Sequence, residues 1–159
     1  MRDRRFADAL TLYERILGGD PPPEVRHAAL MEKGDTLFAL GSSEPGRFTE
    51  AAAVYAGLAA DLSAPADWRD QAACKRAAAL AKVGQTEAAL AAYREVLSRP
   101  PGTEADPFWF YKAGLEAGRL LEEQKNWPEA IAVYDKMASA DGPQREEIKQ
   151  RSRRLRLEH

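Results

Sequence analysis

Side chains that commonly carry catalysis are few in this chain and lie far apart. The histidines are His27 and His159, and no cysteine or serine lies close to His27 in sequence. We therefore interpret His27 as a packing or surface residue rather than a general base. Cys74 is the only cysteine, which rules out an internal disulfide and speaks against a cysteine metal site. Its neighbours Lys75 and Arg76 do not face it on a helix, so we predict an inert thiol that is buried or lines a groove.

The remaining catalytic signatures are also missing. Paired carboxylates read as solvated helix faces, and no glycine-rich phosphate loop is present. We therefore predict that the protein is not an enzyme and that it uses no metal and no cofactor.

The charge balance gives no global bias towards nucleic acid or membrane. Lys plus Arg count 23 and Asp plus Glu count 25, for a net charge of −2. Residues 143–157 are locally basic, which leaves open a less favoured role in nucleic-acid binding. The alternative is that this helix packs Ile148, Ser152 and Leu155 against its neighbour and solvates its charges.

The elements that would position any functional side chain are helices. Alanine dominates the apolar residues, and β-branched residues are scarce. The ten prolines fall between helical patterns or in first turns, where a missing N–H does least harm. The patterns predict eight helices, approximately at 3–18, 22–40, 47–62, 65–83, 86–98, 107–124, 127–140 and 144–157.

One pattern recurs four times along the chain. A bulky or β-branched residue is followed by alanine three residues later and by tyrosine seven residues later, which places all three on one helix face. Successive tyrosines are separated by about 40 residues, which is typical of a stacked helical array. The four copies are Phe6/Ala9/Tyr13, Phe48/Ala51/Tyr55, Thr86/Ala89/Tyr93 and Trp127/Ala130/Tyr134.

These stretches resemble the tetratricopeptide repeat (TPR) family. Residues 82–97 resemble the turn and second helix of one repeat, and residues 125–134 resemble another. The family keeps small residues where the two helices of a repeat cross. The matching positions here are Gly34, Ala77 and Gly118 in first helices and Ala51, Ala89 and Ala130 in second helices. Pro21 and Pro101 stand where the family has its closing proline.

The resemblance implies an all-α fold, a right-handed α-solenoid of stacked antiparallel helix pairs. We expect one TPR-like domain over 1–159. The segment 3–18 would be the second helix of a partial unit. Complete units would follow at 22–62, 65–98 and 107–140, and 144–157 would be a terminal or capping helix. Because this pattern begins and ends within a unit, we expect a fragment of a longer repeat protein. No signal peptide or membrane span is evident, and the compartment stays undetermined.

The resemblance also implies that first helices line a concave groove that binds a peptide or protein. Lysine and arginine on such a face suit acidic or carboxylate-bearing peptides, although exposed helix faces are often charged without any ligand. A chaperone-tail carboxylate clamp is not expected, since it requires several asparagines and Asn126 is the only one. The groove candidates are Met31, Asp35, Phe38, Gln71, Lys75, Lys82, Lys112, Arg119 and Glu122.

We therefore predict a protein-interaction scaffold. The alternative is a structural spacer of a longer array that self-associates through open ends. Residues 107–111 form the densest aromatic stretch, and we expect two of its rings to face the preceding unit while the others pack under the 99–106 loop.

Overall fold

The architecture comes from a computed structural model, which describes residues 2–99, 106–140, 142 and 144–159. In this part of the chain there are eight α-helices and no strands. They are α1 (Arg2–Gly18), α2 (Pro23–Leu40), α3 (Gly46–Ala60), α4 (Ala66–Lys82), α5 (Thr86–Leu97), α6 (Pro107–Glu123), α7 (Trp127–Ala138) and α8 (Arg145–Glu158). The predicted all-α fold is confirmed, and each predicted helix end lies within two residues of the observed end. Pro101 lies outside the described residues.

Local signals account for several helix ends. The Asp106 carboxylate accepts a hydrogen bond from Phe108 N at 2.9 Å and thereby caps α6, whose first residue is Pro107. Gly84 follows α4 with φ of +75°, a conformation that side chains with a Cβ disfavour. The turn after α4 therefore lets α5 fold back against it, and the two helices pack together.

The helices form pairs that stack in chain order, as α2–α3, α4–α5 and α6–α7. Each helix packs against its neighbours in sequence, and α4 also packs against α6. This arrangement is an α-solenoid of helix pairs. The first helices of the second and third pairs, α4 and α6, therefore lie side by side and can form a shared surface.

Close packing within the pairs depends on glycine. A Cβ added at Gly34 would lie 2.4 Å from Cε1 of Tyr55, and one at Gly118 would lie 2.4 Å from Cζ of Tyr134. Both tyrosines are buried, with 1% of the surface of Tyr55 and 0% of the surface of Tyr134 exposed. The tyrosines thus fill the space that the missing side chains leave between the two helices of a pair.

Among the described helices, none is both long enough and apolar enough to cross a membrane.

Candidate functional site

A pocket of about 400 Å³ lies between α4 and α6 and brings together the four basic groove candidates. Lys75 and Lys82 come from α4, and Lys112 and Arg119 come from α6. Within each helix the two cations are seven residues apart, which places them on one face two turns apart. The helix pairing thus converts two separate sequence patterns into one basic surface.

Small and apolar residues line the same pocket, and two acidic residues join them. The acidic residues are Glu116 and Glu123 of α6. Their part in the pocket was not predicted, although they follow Lys112 by four and eleven residues and so share its helix face. The other lining residues are Cys74, Ala78 and Ala81 of α4, Tyr93 of α5 and Leu120 of α6.

The four cations differ in whether the chain itself neutralises them. Arg119 contacts Glu116, with Nη2 at 3.2 Å and Nε at 3.3 Å from Oε2, and its Nη1 pairs with Glu123. Lys82 and Lys112 are exposed, and no carboxylate of the described residues lies within ion-pair distance of either ammonium group. The unmatched charge of the pocket is therefore positive.

Lys75 is engaged in a network that joins the first two pairs. Its Nζ lies 2.6 Å from both carboxylate oxygens of Asp35 on α2. The Tyr55 hydroxyl of α3 donates to Asp35 Oδ1 at 2.5 Å. Burial, followed by this hydrogen bond, raises the pKa of Tyr55 above its ordinary value. Asp35 and Lys75 thus satisfy each other and hold α2, α3 and α4 together.

An equivalent network joins α6, α7 and α8. The Tyr134 hydroxyl donates to Glu122 Oε1 at 2.5 Å, and Arg151 Nη2 of α8 lies 2.9 Å from the same oxygen. Burial, and then the hydrogen bond with Glu122, raises the pKa of Tyr134. Glu122 therefore has an internal role, and it does not line the pocket.

Met31 corrects the predicted groove set. Only 5% of its surface is exposed, and it belongs to the hydrophobic core. The reason is its spacing, because it precedes Gly34 by three residues and so faces α3 as Gly34 does. Cys74 and Tyr93 are as buried as Met31 but line the pocket between α4 and α6, whereas Met31 does not, so Met31 is not part of this site.

Phe38 and Gln71 are half-buried and lie outside the pocket lining. The Phe38 ring packs edge-on against Phe48 of α3, with the ring centroids 5.1 Å apart.

The predicted repeat-signature residues lie mainly inside the stack. Trp127 is the partly exposed member of this set, and its ring stacks on that of His159 at 3.8 Å between centroids. The buried members are Gly34, Ala51, Tyr55, Ala77, Ala89, Tyr93, Gly118, Ala130 and Tyr134.

His27 acquires neighbours that its sequence context did not suggest. Its Nε2 lies 3.1 Å from Asp61 Oδ2 and 3.3 Å from the Ser63 hydroxyl. In a catalytic triad, the carboxylate and the hydroxyl contact opposite ring nitrogens. Here both contact Nε2, and Ser63 donates to Asp61 Oδ1 at 2.6 Å. The cluster therefore links α2 to the turn after α3, and it does not have the geometry of a catalytic triad.

Cys74 lines the pocket with 2% of its surface exposed. Burial raises the pKa of its thiol to about 12, and the charge of Asp70 adds to the effect. The thiol is consequently protonated at neutral pH, as expected for an inert cysteine.

The aromatic stretch splits between core and surface. Phe110 and Tyr111 are buried, Trp109 is partly buried, and Phe108 is 56% exposed. Phe108 and Tyr111 line another cavity of about 230 Å³, which shares Lys112 and Glu116 with the pocket between α4 and α6. The 100–105 segment, which includes most of the loop expected to cover these rings, lies outside the described residues.

The basic residues of α8 are largely paired with carboxylates. The ion pairs are Lys149–Glu146, Arg151–Glu122, Arg154–Glu158 and Arg156–Asp135. This pairing reduces the positive charge that α8 could offer to a nucleic acid.

The repeated helix pairs suggest a family of repeat proteins, and comparison with protein families shows which one. The tetratricopeptide repeat model matches residues 1–67 and 74–145, which is well over half of the chain. The chain belongs to the tetratricopeptide repeat family. Tetratricopeptide repeats generally mediate protein–protein interactions and are typically non-enzymatic scaffolds. Comparison of this TPR protein with curated proteins and with solved structures finds no significant match.

Proposed function

We propose that this TPR protein binds an acidic segment of a partner protein in the pocket between α4 and α6. The observation that carries the proposal is the pair of unneutralised lysines, Lys82 and Lys112, beside a lining of small and apolar side chains. Cations at the rim attract an acidic peptide and orient it, while apolar contacts supply affinity.

The test is binding to an array of short peptides that vary in acidic content. Replacing both Lys82 and Lys112 with glutamate reverses the charge at the pocket, so we expect at least about tenfold weaker binding of acidic peptides. The signal from the unchanged protein should also fall as salt is raised, because exposed charges are screened.

The matched control replaces two cations that do not line the pocket. Arg26 and Lys136 are exposed on α2 and α7, and their double change to glutamate alters the net charge equally. Equal loss of binding in both double variants would show that only the net charge matters, and would defeat the proposal of a pocket.

A second candidate is self-association through the terminal helices. Leu12 on α1 is 52% exposed and Leu157 on α8 is 88% exposed, and exposed apolar side chains at repeat ends favour association. Light scattering over a concentration series tests this candidate. A constant monomer mass would exclude it, and a rise in mass that is lost when both leucines become serine would support it.

A further inference from the structure

Tyr93 is the one repeat-signature tyrosine of the three helix pairs whose hydroxyl has no acceptor among the described residues. It is 3% exposed, and it lines the pocket between α4 and α6. Its equivalents, Tyr55 and Tyr134, both donate to a carboxylate on the first helix of their own pair. The Tyr93 ring is therefore buried, while its hydroxyl oxygen opens into the pocket and meets no acceptor among the described residues.

The missing acceptor can be traced to two alanines. Asp35 lies one residue, and Glu122 four residues, after the small residue at the helix crossing in its pair. Ala77 holds this crossing position in α4. The corresponding carboxylate positions are therefore Ala78 and Ala81, and both line the pocket.

The pocket has the space that the absent carboxylate would have filled. Its volume of about 400 Å³ is many times the share of one liquid water, about 30 Å³. The opening therefore admits a carboxylate from outside together with the stem that carries it.

Charge at this place also favours an anion. In the α2–α3 and α6–α7 pairs, the carboxylate is held by a cation from the helix that follows the pair, Lys75 of α4 or Arg151 of α8. Here Glu116 takes the place of that cation. Arg119 pairs with both Glu116 and Glu123, which leaves one negative charge, and the two positive charges of Lys82 and Lys112 exceed it. The two unpaired lysines of the pocket are left to meet an incoming carboxylate.

The Tyr93 hydroxyl carries a proton that it can donate to an incoming carboxylate. Burial raises its pKa, and the charge of Glu116 adds to the effect, so the hydroxyl keeps its proton at neutral pH.

We propose that the partner supplies the carboxylate that the α4–α5 pair lacks. A carboxylate from the bound peptide enters the space beside Ala78 and Ala81 and accepts a hydrogen bond from Tyr93. Lys82 and Lys112 balance its charge. The inference rests on the proposed function, and it specifies the chemistry that the pocket recognises.

Nuclear magnetic resonance titration with small carboxylates tests this inference. N-acetyl-glutamate methylamide presents a side-chain carboxylate, N-acetyl-alanine presents a terminal one, and N-acetyl-glutamine methylamide is the neutral control. We expect at least one carboxylate to shift the Tyr93 ring signals, and the tighter of the two identifies the source. No shift with either carboxylate, or an equal shift with the neutral control, would overturn the inference.

The decisive variant is Tyr93→Phe, which removes only the donor. We expect carboxylate binding to weaken about tenfold, the size of effect that follows from losing one hydrogen bond to a charged group. Tyr134→Phe is the matched control, because that hydroxyl donates to Glu122, which does not line the pocket, and the carboxylate affinity of this variant should equal that of the unchanged protein. Unchanged affinity in Tyr93→Phe contradicts the inference.

A second variant fills the pocket from within. Ala81→Glu places a carboxylate in α4 at the position equivalent to Glu122 of α6, within reach of the Tyr93 hydroxyl. This variant should no longer bind the carboxylate probe, and its melting temperature should be higher than that of Ala81→Gln. If Ala81→Glu melts no higher than Ala81→Gln and still binds the carboxylate probe, the inference fails.

The outcomes separate this inference from the proposed function. If Tyr93→Phe binds carboxylates normally but the Lys82/Lys112 double variant no longer binds acidic peptides, the proposed binding pocket is supported and the proposed contact with Tyr93 is wrong. If neither change affects binding, both fall.

Discussion

Three tyrosines at equivalent positions of the repeat differ in the acceptor of the hydrogen bond that the hydroxyl donates. Tyr55 and Tyr134 donate to Asp35 and Glu122, each at 2.5 Å, whereas Tyr93 has no acceptor among the described residues. We expect Tyr55→Phe and Tyr134→Phe each to lower the free energy of unfolding by about 1–2 kcal/mol, because each removes a hydrogen bond to a charged group. Tyr93→Phe should change it by less than about 0.5 kcal/mol. Urea denaturation of the three variants checks this order, and an equal loss at Tyr93 would contradict it.

We expect the Asp61 carboxyl to make the stability of the protein sensitive to acid. Hydrogen bonds from the side chain and the backbone of Ser63 lower the pKa of its carboxyl from 3.8 to about 2. A lowered pKa means that the contribution to stability is complete above about pH 4 and is lost as the pH falls towards 2. We therefore expect Asp61→Asn to show a smaller loss of stability over this pH range than the unchanged protein. Melting temperatures measured between pH 5 and 2 test this, and parallel curves would refute it.

At the scale of the helix, two glycines differ in the space available for an added side chain. A Cβ at Gly34 would lie 2.4 Å from the buried ring of Tyr55, while Gly57, inside α3, has nothing within 4 Å. We expect Gly34→Ala to cost about 1–3 kcal/mol through overpacking. Gly57→Ala should stabilise by about 0.5–1 kcal/mol, since alanine is the better helix former. Thermal melts of both variants test the claim that α2 and α3 approach closely at Gly34, and a neutral Gly34→Ala would argue against it.

The ion pairs between helices also belong to this scale. Arg94 of α5 contacts Glu129 of α7 at 2.5 Å, and both side chains are about half exposed. Such surface pairs contribute little to stability. The close contacts within pairs, such as that of Gly118 with Tyr134, therefore matter more for holding each pair together.

For the whole molecule, the stack gives the ends less support than the middle. α1 packs against α2, whereas α4 packs against α3, α5 and α6. Because each unit of a solenoid contacts only its neighbours, the ends open more readily than the centre. We expect amide hydrogens of α1 to exchange at least about tenfold faster than those of α4. Hydrogen-exchange mass spectrometry checks this expectation. Equal protection along the chain would instead indicate one cooperative unit.

The helix pattern of this TPR protein could be predicted almost completely. Helix propensity, proline positions and the spacing of Ala89 and Tyr93 are local properties, and each local signal pointed to the same element. The ends of α3 and α7 lie two residues before the predicted ends, because helix termini depend on turn geometry as well as on composition.

The candidate site was predictable only in part. The seven-residue spacing of Lys75 and Lys82, and of Lys112 and Arg119, indicated one face of each helix. Spacing gives no measure of depth, so Met31 was assigned to the groove although it lies in the core.

The sequence by itself therefore determined the helices, their pairing and the family, because these follow from periodicity along one chain. Only the tertiary structure decided which charges are free. Lys75 meets Asp35 from forty residues away, while Lys82 and Lys112 meet no carboxylate among the described residues. Tyr93 differs from Tyr55 because Ala78 stands in α4 where α2 has Asp35, and only the packed helices show that this leaves the Tyr93 hydroxyl without an acceptor among the described residues. Ion pairs and hydrogen bonds depend on distances of a few ångströms between separate helices, and these distances arise only when the helices pack.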